Sequence, residues 1–307
     1  MASAERTVAV IGLGNIGAPV AVRLRSAGSR VLAFDLRRRV VAELAGEHDL
    51  EAVEDIGAVA GAETIVTILP TGVQVAETFD ALASDLRRGA LWIDMSSSAP
   101  AHTLALGRRA AQHGIRVVDA PLSGGVRRAW DGALTVMVGG DDDAVDAAMP
   151  FLQAVGSSVQ RTGPLGSGHA MKALNNGVAA AGLVAAGEAL TVATRFGIDP
   201  KVFVEVINLS TGRNVATERK LPEHVLPRRF DSGFGLSLMV KDITIACELA
   251  DHERTPAEVL HRVLGVCRQA QRSFDADRDH TEVVSWLLAE RADESVVPAA
   301  LPEADPV

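Results

Sequence analysis

The sequence predicts an α/β protein. A parallel sheet wrapped by helices fills the first half, and an all-helical second half is built on one long helix. Three observations carry this. Six short runs rich in Val and Ile alternate with helical stretches: Val8–Ile11, Arg30–Phe34, Thr64–Leu69, Leu91–Asp94, Arg116–Asp119 and Leu134–Val138. They are apolar on both faces, which requires a parallel sheet covered on both sides. A Gly/Pro/Ser-rich stretch, Gly163–Gly168, then ends the strand pattern, and a helical run follows from His169 to Phe196. At about 1.5 Å per residue that helix reaches roughly 40 Å, too long for one small domain.

The 307 residues suffice for two domains with a large core. The expected division is residues 1–165, residues 166–291, and a flexible tail at 292–307 rich in Pro, Ala and acidic groups. Further helices are expected near Pro200–Leu209, Leu238–Asp251 and Pro256–Arg272. Gly177, Ala181 and Ala185 recur at intervals of four on the long helix. That small-residue face suits close approach of another helix, so the helix is expected to serve as a domain spine and part of a homodimer or homotetramer interface. The segment Gly177–Ala193 is apolar but carries Glu188 and falls short of a full membrane span, so it reads as a buried soluble helix.

Formal net charge is -9, with both signs interspersed, which argues against a nucleic-acid partner. The two cysteines, Cys247 and Cys267, have no metal-ligand spacing and suit a reducing compartment. With no signal peptide visible, a cytoplasmic protein is expected, with no membrane partner and no metal.

Gly12-Leu13-Gly14-Asn15-Ile16-Gly17 places G-x-G-x-x-G directly after the first strand. A helix is expected to start near Asn15, with Pro19 in its first turn, where proline is tolerated. Gly12 allows the tight turn, Gly14 lets backbone approach a pyrophosphate, and Gly17 lets helix and strand pack closely. The helix N-terminus adds free N–H groups and a positive dipole for phosphates. The second strand ends in Asp35, about twenty residues on, where a carboxylate binds ribose hydroxyls. Asp35 favours NAD over NADP. Arg37, Arg38 and Arg39 leave NADP open, either as 2′-phosphate ligands or as a solvated helix start. Polar turns follow two more strands, Leu69-Pro70-Thr71-Gly72 and Asp94-Met95-Ser96-Ser97-Ser98.

Two further segments read as chemistry. In Asp119-Ala-Pro-Leu-Ser123-Gly124-Gly125-Val126, consecutive Ser-Gly-Gly can aim N–H groups at one anion, for which a substrate carboxylate is a natural guest. In Gly166-Ser-Gly-His-Ala-Met-Lys172-Ala-Leu-Asn-Asn176, a spacing of four puts Lys172 and Asn176 on one helix face. A lysine held among apolar residues can have its pKa lowered and so exchange protons, or it can snorkel to water. Asn208–Asn214, which includes Arg213, and Phe230–Phe234 are further candidate linings.

With these residues assembled, the chain resembles the β-hydroxyacid dehydrogenase family from roughly Val8 to Leu288. The signatures occur in order: G-L-G-N-I-G-A-P at Gly12–Pro19, D-A-P-L-S-G-G-V at Asp119–Val126, G-A-L-T-V-M-V-G-G at Gly132–Gly140, the Lys172 phrase, and Lys241-Asp242. The resemblance implies a Rossmann domain followed by an all-α domain. It implies an NAD-dependent enzyme, with NADP possible, that interconverts a small 3-hydroxy acid and its semialdehyde or oxo acid. It assigns proton transfer to Lys172, substrate orientation to Asn176, and the carboxylate to Ser123, Gly124 and Gly125. Lys241 closes over substrate and cofactor. Leu36, Leu69, Pro70, Gln74 and Ser97 join Asp35 and the glycine loop as dinucleotide contacts.

The chain departs from the family pattern at Ser97 for threonine, Gly72 and Val73 for polar residues, and Ala133 for threonine. Phe274 stands for a small residue. No proposed catalytic group is lost, and the substrate stays open. Other readings are an imine reductase on the same fold and a non-catalytic dinucleotide sensor; both are expected to lack the lysine.

Overall fold

The structure is a computed structural model that describes residues 6–274 and 278–290; the tail expected at 292–307 lies outside them. The chain divides into two compact units: the described residues up to Asn176 with Ile245–Thr255, and the rest of the described chain. The division falls inside the long helix, whose head is hydrogen-bonded to a strand end of the first unit.

The first unit alternates strand and helix: β1 (Thr7–Ile11), α1 (Gly17–Ser26), β2 (Arg30–Phe34), α2 (Arg38–His48) and β3 (Glu51–Ala52). Next come β4 (Thr64–Thr67), α3 (Gly72–Leu82), β5 (Leu91–Asp94), α4 (Pro100–Gln112), β6 (Arg116–Asp119) and β7 (Leu122–Ser123). The remainder is α5 (Gly125–Trp130), β8 (Leu134–Gly139), α6 (Asp142–Val155) and β9 (Gly156–Gly163), which leads into α7 (Ser167–Phe196). The sheet order is β3-β2-β1-β4-β5-β6-β8-β7, with β9 on β8. From β3 to β6 every pairing is parallel, whereas β8 runs antiparallel to β6 and β7. The sheet is thus parallel from β3 to β6 and again between β8 and β9, the chain reversing direction between β7 and β8 through α5.

Both faces of the sheet are buried, as its all-apolar strands require. One face packs Val8, Val10, Val31, Ile93 and Val118 against Val20 and Leu24 of α1 and Phe151 and Leu152 of α6. The other packs Ala9, Ile11, Ile65 and Trp92 against Phe79 and Leu82 of α3 and Leu106 of α4. Each of the Val, Ile, Leu and Phe side chains contributes about 1.5–3 kcal/mol on burial.

Two expected boundaries at the strand edge, after β1 and at the end of β4, move. α1 starts at Gly17, not Asn15, because Gly12–Ile16 form the turn itself. β4 stops at Thr67, not Leu69: Ile68 N donates to Ile11 O, but Leu69 N leaves the ladder for Ser96 Oγ, 2.9 Å away. β3, β7 and β9 have no expected counterpart. The first two are two residues long, and β9 is a half-exposed polar run, Gly-Ser-Ser-Val-Gln-Arg-Thr-Gly.

The second unit continues α7 and adds α8 (Pro200–Asn208), a π-helix at Ala216–Val225, α9 (Leu236–His252, shared between the units), α10 (Glu258–Ser273) and α11 (Glu282–Glu290). α7 is the described helix long and apolar enough to cross a membrane. Half of its most apolar window is buried inside the protein, as in the core helix of a soluble protein. Close approach on it falls at Gly187, where a Cβ would come within 3.0 Å of Val284 on α11. Gly177 is buried, Ala181 half-buried and Ala185 exposed. Asp199 caps α8 by accepting from Lys201 N at 2.7 Å.

Phe230–Phe234 has a structural explanation. The Asp279 carboxylate accepts from Ser232 Oγ and Gly233 N, each at 2.9 Å, and Phe234 packs edge-on against His280. Burial, reinforced by nearby Lys220, pushes the His280 imidazole down to about 4. Arg213 pairs with Glu218 at 3.5 Å, in the first turn of the π-helix.

Candidate active site

β2, β1, β4, β5 and β6 are neighbouring parallel strands, so their carboxyl ends lie along one edge of the first unit. The glycine loop follows β1, Asp35 and Leu36 follow β2, and Leu69, Pro70 and Gln74 follow β4. Ser97 follows β5, and Ser123–Gly125 follow β6. Topology therefore brings these expected contacts to one edge, where open α/β sheets bind ligands.

The glycine loop fits a dinucleotide. A Cβ on Gly12, whose φ is +96°, would stand 2.3 Å from Ile68 O; one on Gly17 would stand 1.9 Å from Gly12 O. Both positions must be glycine for the turn to close. Gly14 differs: a Cβ there meets nothing within 4 Å, which leaves open space of the kind a pyrophosphate needs. No side chain caps α1 at Ile16, which leaves the helix N-terminus open toward phosphate, although Ala18 N is already taken by Gly14 O at 3.0 Å and Pro19 has no N–H. Gln74 sits in the first turn of α3, capped by Thr71 through Gln74 N.

Asp35 links the β1 and β2 ends. Its carboxylate accepts from Leu13 N and Arg37 N, each at 2.8 Å, and from Arg37 Nε at 3.1 Å. Burial raises its pKa, but the Arg37 hydrogen bonds and the Leu13 amide outweigh that and hold the carboxyl below its usual value. Arg38 and Arg39 are solvated residues at the start of α2, and Arg39 pairs with Glu43 one turn on. Arg37 departs from that picture, because its guanidinium lies on Asp35 and not in solvent alone.

Ser123 pairs with Thr135 in the short β7–β8 ladder, and Gly124 and Gly125 follow it exposed, with φ of +142° and +78°. That backbone is open to glycine and costly for other residues. Lys172 and Asn176 are half-buried on α7, one turn apart, and Asn176 Oδ1 accepts from Asn175 Nδ2 at 3.1 Å. The head of α7 is fixed to the strand edge: Asp119, ending β6, accepts from Gly166 N and His169 N, both at 2.7 Å. A Cβ on Gly168 would lie 2.4 Å from Met137 O, so only glycine lets the helix start so close to the sheet. Burial pushes the Asp119 carboxyl up, against the pull of His169 and of the two amides. Lys241, on α9 in the second unit, is largely buried beside Asp242, 3.6 Å away.

Sequence reasoning missed the polar cluster beneath this edge. Asp94, Asp119, Ser96, Ser98, Thr103 and His169 are all buried. The signal was present: two apolar strands, Leu-Trp-Ile-Asp and Arg-Val-Val-Asp, each end in a carboxylate. A buried carboxylate demands partners.

Two family profiles match in tandem. Residues 7–163 match the NAD-binding domain of 6-phosphogluconate dehydrogenase, and 166–287 the "NAD-binding of NADP-dependent 3-hydroxyisobutyrate dehydrogenase". The chain belongs to the β-hydroxyacid dehydrogenase family. It is 34% identical over 253 residues to a 2-(hydroxymethyl)glutarate dehydrogenase of Eubacterium barkeri, covering 81% of this chain and 84% of the relative. It is 31% identical to an NAD-dependent L-serine dehydrogenase of Pseudomonas aeruginosa, covering 91% and 96%. The solved 3-hydroxyisobutyrate dehydrogenase of Mycobacterium tuberculosis with L-serine superposes with a TM-score of 0.86 at 30% identity, covering 93% and 100%. Like this family, the chain has a Rossmann domain followed by a helical domain, and it is an NAD(P)-dependent oxidoreductase of hydroxy acids.

Proposed function

We propose that this chain oxidises a small 3-hydroxy acid, reversibly, to the semialdehyde or oxo acid. Lys172 acts as general base in oxidation and general acid in reduction. A bound nicotinamide dinucleotide supplies the hydride acceptor or donor. The glycine loop Gly12–Gly17, Asp35, Leu36, Leu69, Pro70, Gln74 and Ser97 hold it. The Ser123–Gly125 turn takes the substrate carboxylate. Lys172 takes the hydroxyl proton, and Asn176, which donates or accepts without changing charge, holds the substrate oxygen in either redox state. Lys241 is assigned to the same reaction on its Lys-Asp motif alone. The observation that carries this reading is the tie from Asp119 to the head of α7. It starts the Lys172 helix at the strand edge that bears the glycine loop.

The substrate class is tested with 3-hydroxyisobutyrate, L-serine, glycerate, threonate and 2-(hydroxymethyl)glutarate, each with NAD and NADP, followed by nicotinamide absorbance. Turnover of at least one acid is expected, and none with either dinucleotide would overturn the reading. The remaining proposals are a cytoplasmic homodimer or homotetramer, residues 1–165 for the dinucleotide, and residues 166–291 for substrate and subunit contact.

NAD is the proposed cofactor, with NADP also accepted, because Arg37 lies 3.1 Å from Asp35 and offsets the repulsion that carboxylate would exert on a 2′-phosphate. Arg37→Ala is expected to weaken NADP binding at least tenfold, or about 1.4 kcal/mol. NAD binding should stay within about threefold. Titration calorimetry on the resting protein measures both, and equal losses for the two dinucleotides would remove Arg37 from the discrimination.

A further inference from the structure

His169 is a fully buried imidazole that the proposed reaction does not use, being 1% exposed. Its ring nitrogens are both engaged. Nδ1 is 2.7 Å from Thr103 Oγ1 on α4, and Nε2 is 3.1 Å from the carbonyl of Ser96 in the turn after β5. A carbonyl can only accept, so Nε2 carries a proton and donates it. Its backbone N–H, in turn, donates to Asp119 at the end of β6. One residue therefore joins α4, the β5 turn, the β6 end and the first turn of α7.

The chain of contacts continues to the dinucleotide side. Ser96 Oγ accepts from Leu69 N at 2.9 Å, the amide that leaves the β4 ladder. Asp94 fixes the same turn by accepting from Ser96 N and Ser98 Oγ, each at 3.0 Å, and from Thr67 Oγ1 at 3.1 Å. Leu69 and Ser97 are proposed dinucleotide contacts, and Lys172 lies three residues beyond His169 on the same helix face. We infer that His169 is a positioning residue, which ties the Leu69 and Ser96–Ser98 turns to the helix bearing Lys172 and so fixes the dinucleotide turns relative to the proton-transfer group. The Asp119 cap alone would start the helix at the edge, but it makes no contact with the Ser96 turn; only the ring supplies that link among the contacts described. The inference rests on the proposed role of Lys172.

His169→Leu removes the polar atoms and keeps bulk, and His169→Gln restores a donor near the Nε2 position. Two readouts decide. In the dinucleotide-free protein, backbone amides of Leu69 and Ser96–Ser98 should exchange with deuterium at least tenfold faster in His169→Leu. In the assay, kcat should fall ten- to hundredfold, with KM for the hydroxy acid within threefold of wild type. His169→Gln should recover both to within threefold. A lowered Tm with exchange and kcat unchanged, a change in only one readout, or a Gln variant as impaired as the Leu variant would each overturn the inference. If His169→Leu does not fold, His169→Asn, which keeps a polar atom near the Nδ1 position but is too short to reach the Ser96 carbonyl, takes its place with the same readouts and the same criteria. If wild type turns over no hydroxy acid, the functional reading fails and the exchange result alone decides the coupling.

Discussion

Lys172→Ala is expected to bind dinucleotide with an unchanged Kd and to lose about 10²–10⁴-fold in kcat, the span that a positioned acid–base group contributes. The affinity should survive because the proposed phosphate and ribose contacts lie on the glycine loop and at Asp35, on other elements than α7. Lys172→Arg should be nearly as slow. Guanidinium stays protonated at any working pH, so it can carry the charge but cannot take the hydroxyl proton. The pair of variants separates proton transfer from simple charge neutralisation. If arginine restored turnover, Lys172 would be a cationic anchor, and the base would lie elsewhere. Stopped-flow absorbance for kcat and calorimetry for Kd provide the measurements.

Asp119→Ala is expected to destabilise the protein by about 2–5 kcal/mol, since each buried amide left unsatisfied costs about 1–3 kcal/mol. The mutation leaves the amides of Gly166 and His169 without their 2.7 Å acceptors, in a place water does not reach. It also removes the cap from the head of α7, itself worth about 1 kcal/mol in a typical helix. Asp119→Asn should recover part of the loss, since one amide oxygen remains to accept. Urea unfolding measures both, and a loss below about 1 kcal/mol for the alanine variant would mean that the helix head is held by its packing and not by this carboxylate.

Legibility followed how local each signal is. β1, β2, β5 and β6 could be read to within a residue, because an uninterrupted apolar run bounded by polar residues has one reading when it must be buried on both faces. The G-x-G-x-x-G loop was legible for the same reason: strand, turn and helix are contiguous in the chain. β9 was not, since its polar, half-exposed sequence lacks alternation and its place depends on distant partners, the β8 ladder and Asp142 and Asp146 of α6, which pair with Arg161. The end of β4 was misplaced because a serine 27 residues away takes the Leu69 amide, and no window of sequence contains both groups.

The candidate site divides along the same line. Lys172 and Asn176 announce themselves by spacing on one helix. His169 sits in the same phrase, yet its meaning depends on Thr103 and Ser96, each more than sixty residues away in the chain. In the sequence Arg37 is one of three like residues, open to either a 2′-phosphate or a solvated helix start. Only its guanidinium on Asp35 sets it apart from Arg38 and Arg39.

The Ser123–Gly125 turn and the head of α7 are held by different parts of the scaffold. The turn hangs from the two-residue β7–β8 ladder, with open space around Gly125, while Asp119 clamps the helix directly to the end of β6. One part can therefore be exchanged without dismantling the other. If the turn takes the substrate carboxylate as proposed, residues 122–126 are where a longer or more basic turn would accept a bulkier or doubly charged acid, the buried Ala129 of α5 marking the limit of exchange. The buried clamp would keep the proton-transfer helix in register while the turn varies. On the proposed reading, the acid accepted is then set apart from the geometry of proton transfer, so that substrate range and catalytic alignment are separable properties of the scaffold.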